Sequence, residues 1–351
     1  MVRTPLWRRP GAARSTEGMR LLIRVLFAAA LLTVVAAAPA QAAPRHYTAV
    51  DLGTLGGETS AAFAMNDAGQ VVGISRTASG AGHAFLWSKG RMTDLGTLPG
   101  GGYSVAVDIN ERGLVVGNAS DATGAQRAVA WDRGRIIVLG SLGEPGSAQV
   151  AAVNDRGQIL GDSSGPDNIG HRVIWHRGAI TDLGTYEGLS TTRDINNRGD
   201  VVGTYQATPG AYPCDCRAAI WRNGVRTDLG DLGSTGAWLK AYPMDISNRG
   251  VVVGASVTAQ EEEHAFLWRD GVMRDLGTLG GPGSRAVAVN DRGAVVGFSQ
   301  IADQVARPFL WRGGVMTDLT TRGLTAGDDL SDINDRGQMV GTRDSRAKLY
   351  R

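Results

Sequence analysis

From Tyr47 onward the chain alternates apolar and polar positions in short runs, each bounded by Gly, Asn or Asp. In the first stretch the runs are Ala61 to Met65, Gln70 to Ile74, His83 to Trp87 and Met92 to Leu98. Their period of two predicts four short strands. The same order of runs returns about every 44 residues, seven times in all. A period of that length predicts one supersecondary unit per repeat.

Three columns fix the register. The first is a turn: Asn66-Asp67-Ala68-Gly69, Asn110-Glu111-Arg112-Gly113, Asn154-Asp155-Arg156-Gly157, Asn196-Asn197-Arg198-Gly199, Ser247-Asn248-Arg249-Gly250, Asn290-Asp291-Arg292-Gly293 and Asn334-Asp335-Arg336-Gly337. Asn or Asp opens such turns and Gly supplies the positive φ. The second column is aromatic: Trp87, Trp131, Trp175, Trp221, Trp268, Trp311 and Tyr350. Four residues before each stands a His or Arg: His83, Arg127, His171, Arg217, His264, Arg307 and Arg346. The third column is Asp-Leu-Gly, as in Asp51-Leu52-Gly53, Asp94-Leu95-Gly96 and Asp182-Leu183-Gly184.

Hairpins at the Asn-x-x-Gly turns and at short turns such as Lys89-Gly90 make each unit a four-stranded antiparallel sheet. One such sheet cannot bury both faces alone, whereas radial stacking buries them against neighbours. The expected fold is therefore all-β: a seven-bladed β-propeller, with residues 43–351 as a single domain. The last repeat reaches Tyr350 without an Asp-Leu-Gly strand, and the N-terminal segment carries a spare one. Residues 46–55 are expected to lie beside Ala347 to Tyr350 and close the ring.

The strings His83-Ala84-Phe85-Leu86-Trp87 and His264-Ala265-Phe266-Leu267-Trp268, with the N-D-x-G-x-V-V-G and D-L-G-T-L-G-G patterns, resemble the extracellular HAF repeat family. The resemblance covers about Tyr47 to Arg351. It implies an extracellular repeat protein and brings no catalytic or ligand residues with it. The chain departs from the pattern at Val138, Ser247 and Tyr350.

Residues 1–42 read as a secretory signal: Arg20 and Arg24 precede an uncharged tract, and Ala40-Gln41-Ala42 supplies a cleavage site. An uncut membrane anchor is the other reading, against which stand the short tract and Pro39. Met19 opens a conventional signal by itself. The Arg8-Arg9 pair gives only a weak twin-arginine signal, far from the apolar tract. Without residues 1–42 the chain keeps 30 basic and 33 acidic side chains, so its net charge is −3 where the whole chain carries +2. The basic excess belongs to the leader, which argues against a nucleic-acid partner. An extracellular monomer is expected, with no membrane contact beyond the leader.

A residue that recurs once per blade is first a building device. The hairpin register places Asp94 diagonal to His83, which predicts one His–Asp or Arg–Asp pair per blade, such as His171 with Asp182. Blade two lacks that Asp. Asp108, whose position is also held by Asp194, Asp245 and Asp332, is expected to satisfy Arg127 instead. A cation held by these inner carboxylates is the rival reading, weakened because they skip blades. The tryptophans are expected to pack between blades. Cys214 and Cys216 are the only cysteines; in an exported protein they predict a strained local disulfide, an intermolecular bond or a soft-metal pair.

No catalytic motif and no cofactor signature appears. Function is expected on the face bearing the variable loops, including 75–82, 163–170, 205–216 and 256–263. Trp238, outside the aromatic column, together with Tyr186, Tyr205 and Tyr212, forms the candidate ligand-binding set for a carbohydrate or peptide. The first functional reading is a binding or scaffold propeller. A polysaccharide lyase or hydrolase is the alternative, and a structural cell-surface component the third. Glu261-Glu262-Glu263 reads as a solvated loop run.

Overall fold

The computed structural model describes residues 45–351 except 144–145, 167–168, 186–190, 209–214 and 237–238. The leader, Tyr186, Tyr212, Cys214 and Trp238 lie outside the described residues.

Seven four-stranded antiparallel sheets stand in a ring. Counting strands a to d outward from the axis, blade one is Gly56–Met65, Val71–Thr77, Gly82–Ser88 and Arg91–Asp94. The register opposes Phe85 to Asp94, as the hairpin predicted. Strand d stops at Asp94, short of the expected Leu98, because Asp94 Oδ1 accepts the Gly96 N–H at 2.7 Å and turns the chain. Blade seven takes its outer strand from the beginning of the described chain. Ala49–Asp51 pairs with Arg346–Tyr350, with Ala49 opposite Tyr350 and Asp51 opposite Lys348. One 3-10 turn, Leu319–Arg322, leads into that blade.

The V-V-G element has a local cause. Strand a of every blade carries a β-bulge opposite that glycine, for example between Ala62 and Ala64 opposite Gly73. A Cβ on Gly73, Gly117 or Gly297 would lie 2.0 Å from a carbonyl oxygen of strand a. Only glycine fits so close an approach. The bulge in turn swings Phe63, Val107, Ala151, Arg193, Met244, Val287 and Ser331 toward the central channel.

Each blade interface holds an apolar cluster. The aromatic column belongs to it: Trp131, Trp175, Trp268 and Tyr350 are buried, each facing the preceding blade. Trp221 and Trp311 are half-buried. Six interfaces contain eight to ten buried apolar residues each. The interface between blades three and four contains four: Ala152, Leu160, Ile195 and Val201.

The Asn-x-x-Gly turns do more than reverse the chain. The Asn66 amide donates to the Asn110 carbonyl of the next blade at 3.2 Å, and Asn110, Asn154, Asn196, Asn290 and Asn334 repeat the bond around the ring. Ser247, lacking an amide, leaves one gap. At the second turn position each backbone N–H donates to the next blade's side chain, from Asp67 to Glu111 and finally from Asp335 back to Asp67. Seven turns are thereby joined in a closed circle.

Candidate functional site: the cleft between blades three and four

Two polar systems follow the repeat and one location breaks it. On the outer rim, His83 meets Asp94 at 2.9 Å, and His171–Asp182, His264–Asp275 and Arg307–Asp318 meet at 2.8 Å. Arg217 lies 3.6 Å from Asp228, and Arg346 lies 3.7 Å from Asp51. The expectation for blade two is corrected: Arg127 pairs with Asp121 at 2.9 Å, not with Asp108. Asp108 sits beside the turn end of strand a, whereas Arg127 begins strand c near the opposite face.

The inner aspartates have another task. Where each blade's strand a reaches its turn, one N–H per blade must be satisfied inside the channel wall. Four carboxylates satisfy all seven. Asp108 accepts from Ile109 and Val153, Asp194 from Ile195 and Ile246, Asp332 from Ile333 and Met65, and Asp245 from Val289. A carboxylate with two oxygens serves its own blade and the next, so alternate blades suffice and alanine stands between them. Seven is odd, which leaves Asp245 one oxygen over, and it hydrogen-bonds Asp194. Burial pushes Asp108 and Asp332 up to about 7 and Asp245 well above the ordinary carboxylate value, with Asp194 adding repulsion at Asp108 and Asp245.

The break in the repeat is at the blade three–four interface. The residue after the His/Arg column is Ala84, Ala128, Ala218, Ala265 or Ala347, each no more than 1% exposed, and Pro308 in blade six. Blade three places Arg172 there, 9% exposed. The register partner of the bulge glycine departs as well: Ala62, Ala106 and Ala286 are fully buried in blades one, two and six, while blade four has Thr192, buried with a hydroxyl that has no hydrogen-bond partner among the described residues. Ser75, Ser163, Ser256 and Ser299 each accept the N–H of the leucine four residues beyond the first position of the Asp-Leu-Gly column, as in Leu55 to Ser75 at 2.9 Å. Blade four places Tyr205 in that column.

Large or polar side chains thus stand at this interface where other blades carry alanine or serine. Leu52, Leu229, Leu276 and Leu319 of the Asp-Leu-Gly column are buried, but Leu183 is 47% exposed, and strand d of blade three runs on to Thr185. Between the blades opens a cavity of about 740 Å³. Arg172, Thr192, Tyr205, Trp221 and Arg226 are among its walls, and Arg156 and Arg198 stand at its turn end. Tyr205 is therefore a strand residue facing blade three, not a loop residue as the sequence suggested. Its hydroxyl donates to Asp228 at 2.8 Å and the Arg226 guanidinium lies 3.9 Å from its ring centre.

Against solved structures, the chain is similar to the β-propeller domain of the trilobed protease from Pyrococcus furiosus, which has an open velcro topology. The TM-score is 0.55 at 10% identity, over 83% of this chain and 95% of that one. It is also similar to streptogramin B lyase, with a TM-score of 0.51 at 10% identity over 87% of this chain and 98% of that one. Acylaminoacyl peptidase from Pyrococcus horikoshii gives 0.52 at 10% identity, over 85% of this chain and 52% of that one. Likeness at this identity shows the fold alone. No family model and no curated protein matches the chain.

Of the candidate aromatic set, Tyr205 alone lies within the described residues. Cys216 is buried and disulfide-bonded, while Cys214 lies outside them. Glu261, Glu262 and Glu263 are exposed, and the Glu261 carboxylate in addition accepts from Ser234, Thr235 and Gly236 on the connection into blade five. Arg172 and Thr192 were missed in the sequence, although both stand out once each column is compared across blades.

Proposed function

We propose that this protein is an exported binding or scaffold propeller of the HAF-repeat kind, whose ligand, a carbohydrate or peptide, enters the cleft between blades three and four. One observation carries the reading. Arg172, Thr192 and Tyr205 occupy three separate repeat columns, yet they converge on one interface, and the outcome is a cavity where the neighbouring interfaces have a core. A small side chain that most other blades keep in a column is replaced by a large or polar one where another use offsets the changed packing. The cavity falls within the range of about 300–1,000 Å³ usual for small-ligand sites, and aromatic walls with a few polar groups suit such a site. Export rests on the leader, and the HAF assignment on the repeat strings. Tyr186, Tyr212 and Trp238 of the candidate set lie outside the described residues and are carried in the proposal on the sequence alone.

The test is a glycan and peptide array probed with the exported chain, alongside Thr192→Ala and Tyr205→Ser. Both variants restore residues that other blades carry, so their melting transitions should match or exceed the parent's. The expected result is a ligand bound by the parent and bound at least several-fold more weakly by both variants. A parent that binds nothing on either array, or variants that bind as the parent does, would remove the cleft as the site.

A further inference from the structure

We infer that the face formed by the turns, at the opposite end of the blades from the variable loops, is a docking surface for an anionic lipid bilayer. The cleft and this face stand or fall separately, because the residues substituted in the test below lie outside the cleft. The inference departs from the sequence expectation of no membrane contact, since net charge does not show how charge is divided between faces.

In a four-stranded antiparallel blade the a-to-b and c-to-d turns leave from the same end. The undescribed stretches beyond Arg45 all fall in sequence on d-to-a or b-to-c connections, so every one of these turns is described. At the centre of the face stands the circle of second turn positions, whose acids are engaged: Asp67, Glu111, Asp155, Asp291 and Asp335 each accept a neighbouring backbone N–H. Around it, the third turn position is arginine in six of the seven blades: Arg112, Arg156, Arg198, Arg249, Arg292 and Arg336. All six are exposed, and only Arg198, with Asp200 at 2.9 Å, forms an ion pair among the described residues. The turn does not need the cation. Ala68 holds the place in blade one, where Asn66 still bonds Gln70 and Gly69 as in the other turns.

The c-to-d turns add charge against local preference. Their first residue has positive φ, which Asn223, Asp270 and Gly313 adopt readily, yet blades one to three place Lys89, Arg133 and Arg177 there, at φ of 51°, 48° and 52°. These three side chains are exposed, and their one ion pair among the described residues is Arg133 with Asp132 at 3.9 Å. From residue 43 onward the chain carries −3 in all, so the basic face is a matter of placement rather than composition.

Two features select a bilayer over a soluble polyanion. The arginines lie on one ring about the propeller axis, and a plane of headgroups meets the whole ring at once, where a linear polymer crosses only part of it. At the rim of the same face, blades four to six place Val225, Val272 and Val315, which at 67%, 55% and 64% are the most exposed large apolar residues among those described. Each stands in register opposite an arginine, Arg222, Arg269 or Arg312. Apolar side chains beside cations suit the boundary between headgroups and acyl chains, and gain nothing from a soluble polyanion.

The experiment is flotation of the exported chain with vesicles of phosphatidylcholine alone and of phosphatidylcholine with phosphatidylglycerol, at low and at physiological salt, alongside titration with long-chain polyphosphate. The phosphatidylglycerol vesicles should bind about tenfold more tightly or better, and more weakly as salt rises. Arg249→Gln with Arg292→Gln should lose about tenfold of that affinity at an unchanged melting temperature. Arg76→Gln with Arg285→Gln, an equal loss of charge at the loop end of the blades, should bind as the parent does. Val225→Thr with Val272→Thr and Val315→Thr should weaken vesicle binding several-fold and leave polyphosphate binding unchanged. Equal binding to both kinds of vesicle, or equal effects of the two arginine pairs, overturns the inference. So does polyphosphate bound as tightly as the vesicles with no effect of the valine substitutions, which would mark a general polyanion face.

Discussion

Asp245 hydrogen-bonds Asp194 in the channel wall because seven inner N–H groups cannot be divided evenly among two-oxygen acceptors. The odd number of blades brings two carboxyl groups together, and burial with the neighbouring Asp194 raises Asp245 well above the ordinary carboxylate value. Propeller geometry and acid–base chemistry meet at this point.

A pH dependence follows with a definite sign. Asp108 and Asp332 titrate at about 7 when folded and near 3.9 when unfolded, and Asp245 is raised in the same direction. A raised carboxyl stabilises the folded state fully below the unfolded value, and that contribution is lost as pH rises through the folded one. Between pH 4 and pH 7 stability should therefore fall, by several kcal/mol in order of magnitude. Asp328, held low by Arg343 and Tyr350 against its own burial, acts in the opposite sense below about pH 4. Urea titrations at pH 5 and pH 8 check this, and a higher midpoint at pH 8 would contradict it. Asp245→Asn should flatten the slope, because an amide can keep the bond from Val289 and donate to Asp194.

Ser247 is the gap in the circle of turn amides. Ser247→Asn supplies an amide that can reach the Asn290 carbonyl, as Asn196 reaches Ser247, and should add about 1 kcal/mol. Asn154→Ala should remove a similar or larger amount, since it leaves a buried carbonyl of the neighbouring turn without that donor. Denaturant midpoints of the two variants, moving in opposite directions, are the expected readout.

Gly297→Ala should be far more costly than a methyl group suggests. Its Cβ would lie 2.0 Å from the Arg285 carbonyl oxygen at the bulge of blade six. The strand must shift or the bulge must open, and a loss of about 3 kcal/mol, the upper end for overpacking, is expected. Gly271→Ala, at a turn with open space around it, should cost less despite its positive φ.

Deletion of residues 46–55 should abolish the single cooperative transition. The segment supplies the outer strand of blade seven, buries Tyr47 and Leu52, and ties Thr48 to Arg351 and Leu52 to Ala347. Without it, the last blade ends on an unpaired edge. A deletion variant that melts in one sharp step at the parent's temperature would show that closure contributes nothing.

Much of this molecule was legible from spacing alone. Period-two runs, the Asn-x-x-Gly turns and the spare Asp51-Leu52-Gly53 determined the blade count, the strand order and the closing strand, because each repeat must solve one burial problem with the same local chemistry. The His83–Asp94 pairing followed from hairpin register, which is local too. What only the tertiary structure decided were relations between blades. Four aspartates sufficed for seven N–H groups because each accepts from the following blade as well as, in three cases, its own, whereas Arg127 took Asp121 within its own blade because the b–c turn sets the two side by side. The cleft belongs to this second kind: Arg172, Thr192 and Tyr205 are 13 to 33 residues apart in the chain, and only the packing of blade three against blade four sets them around one space.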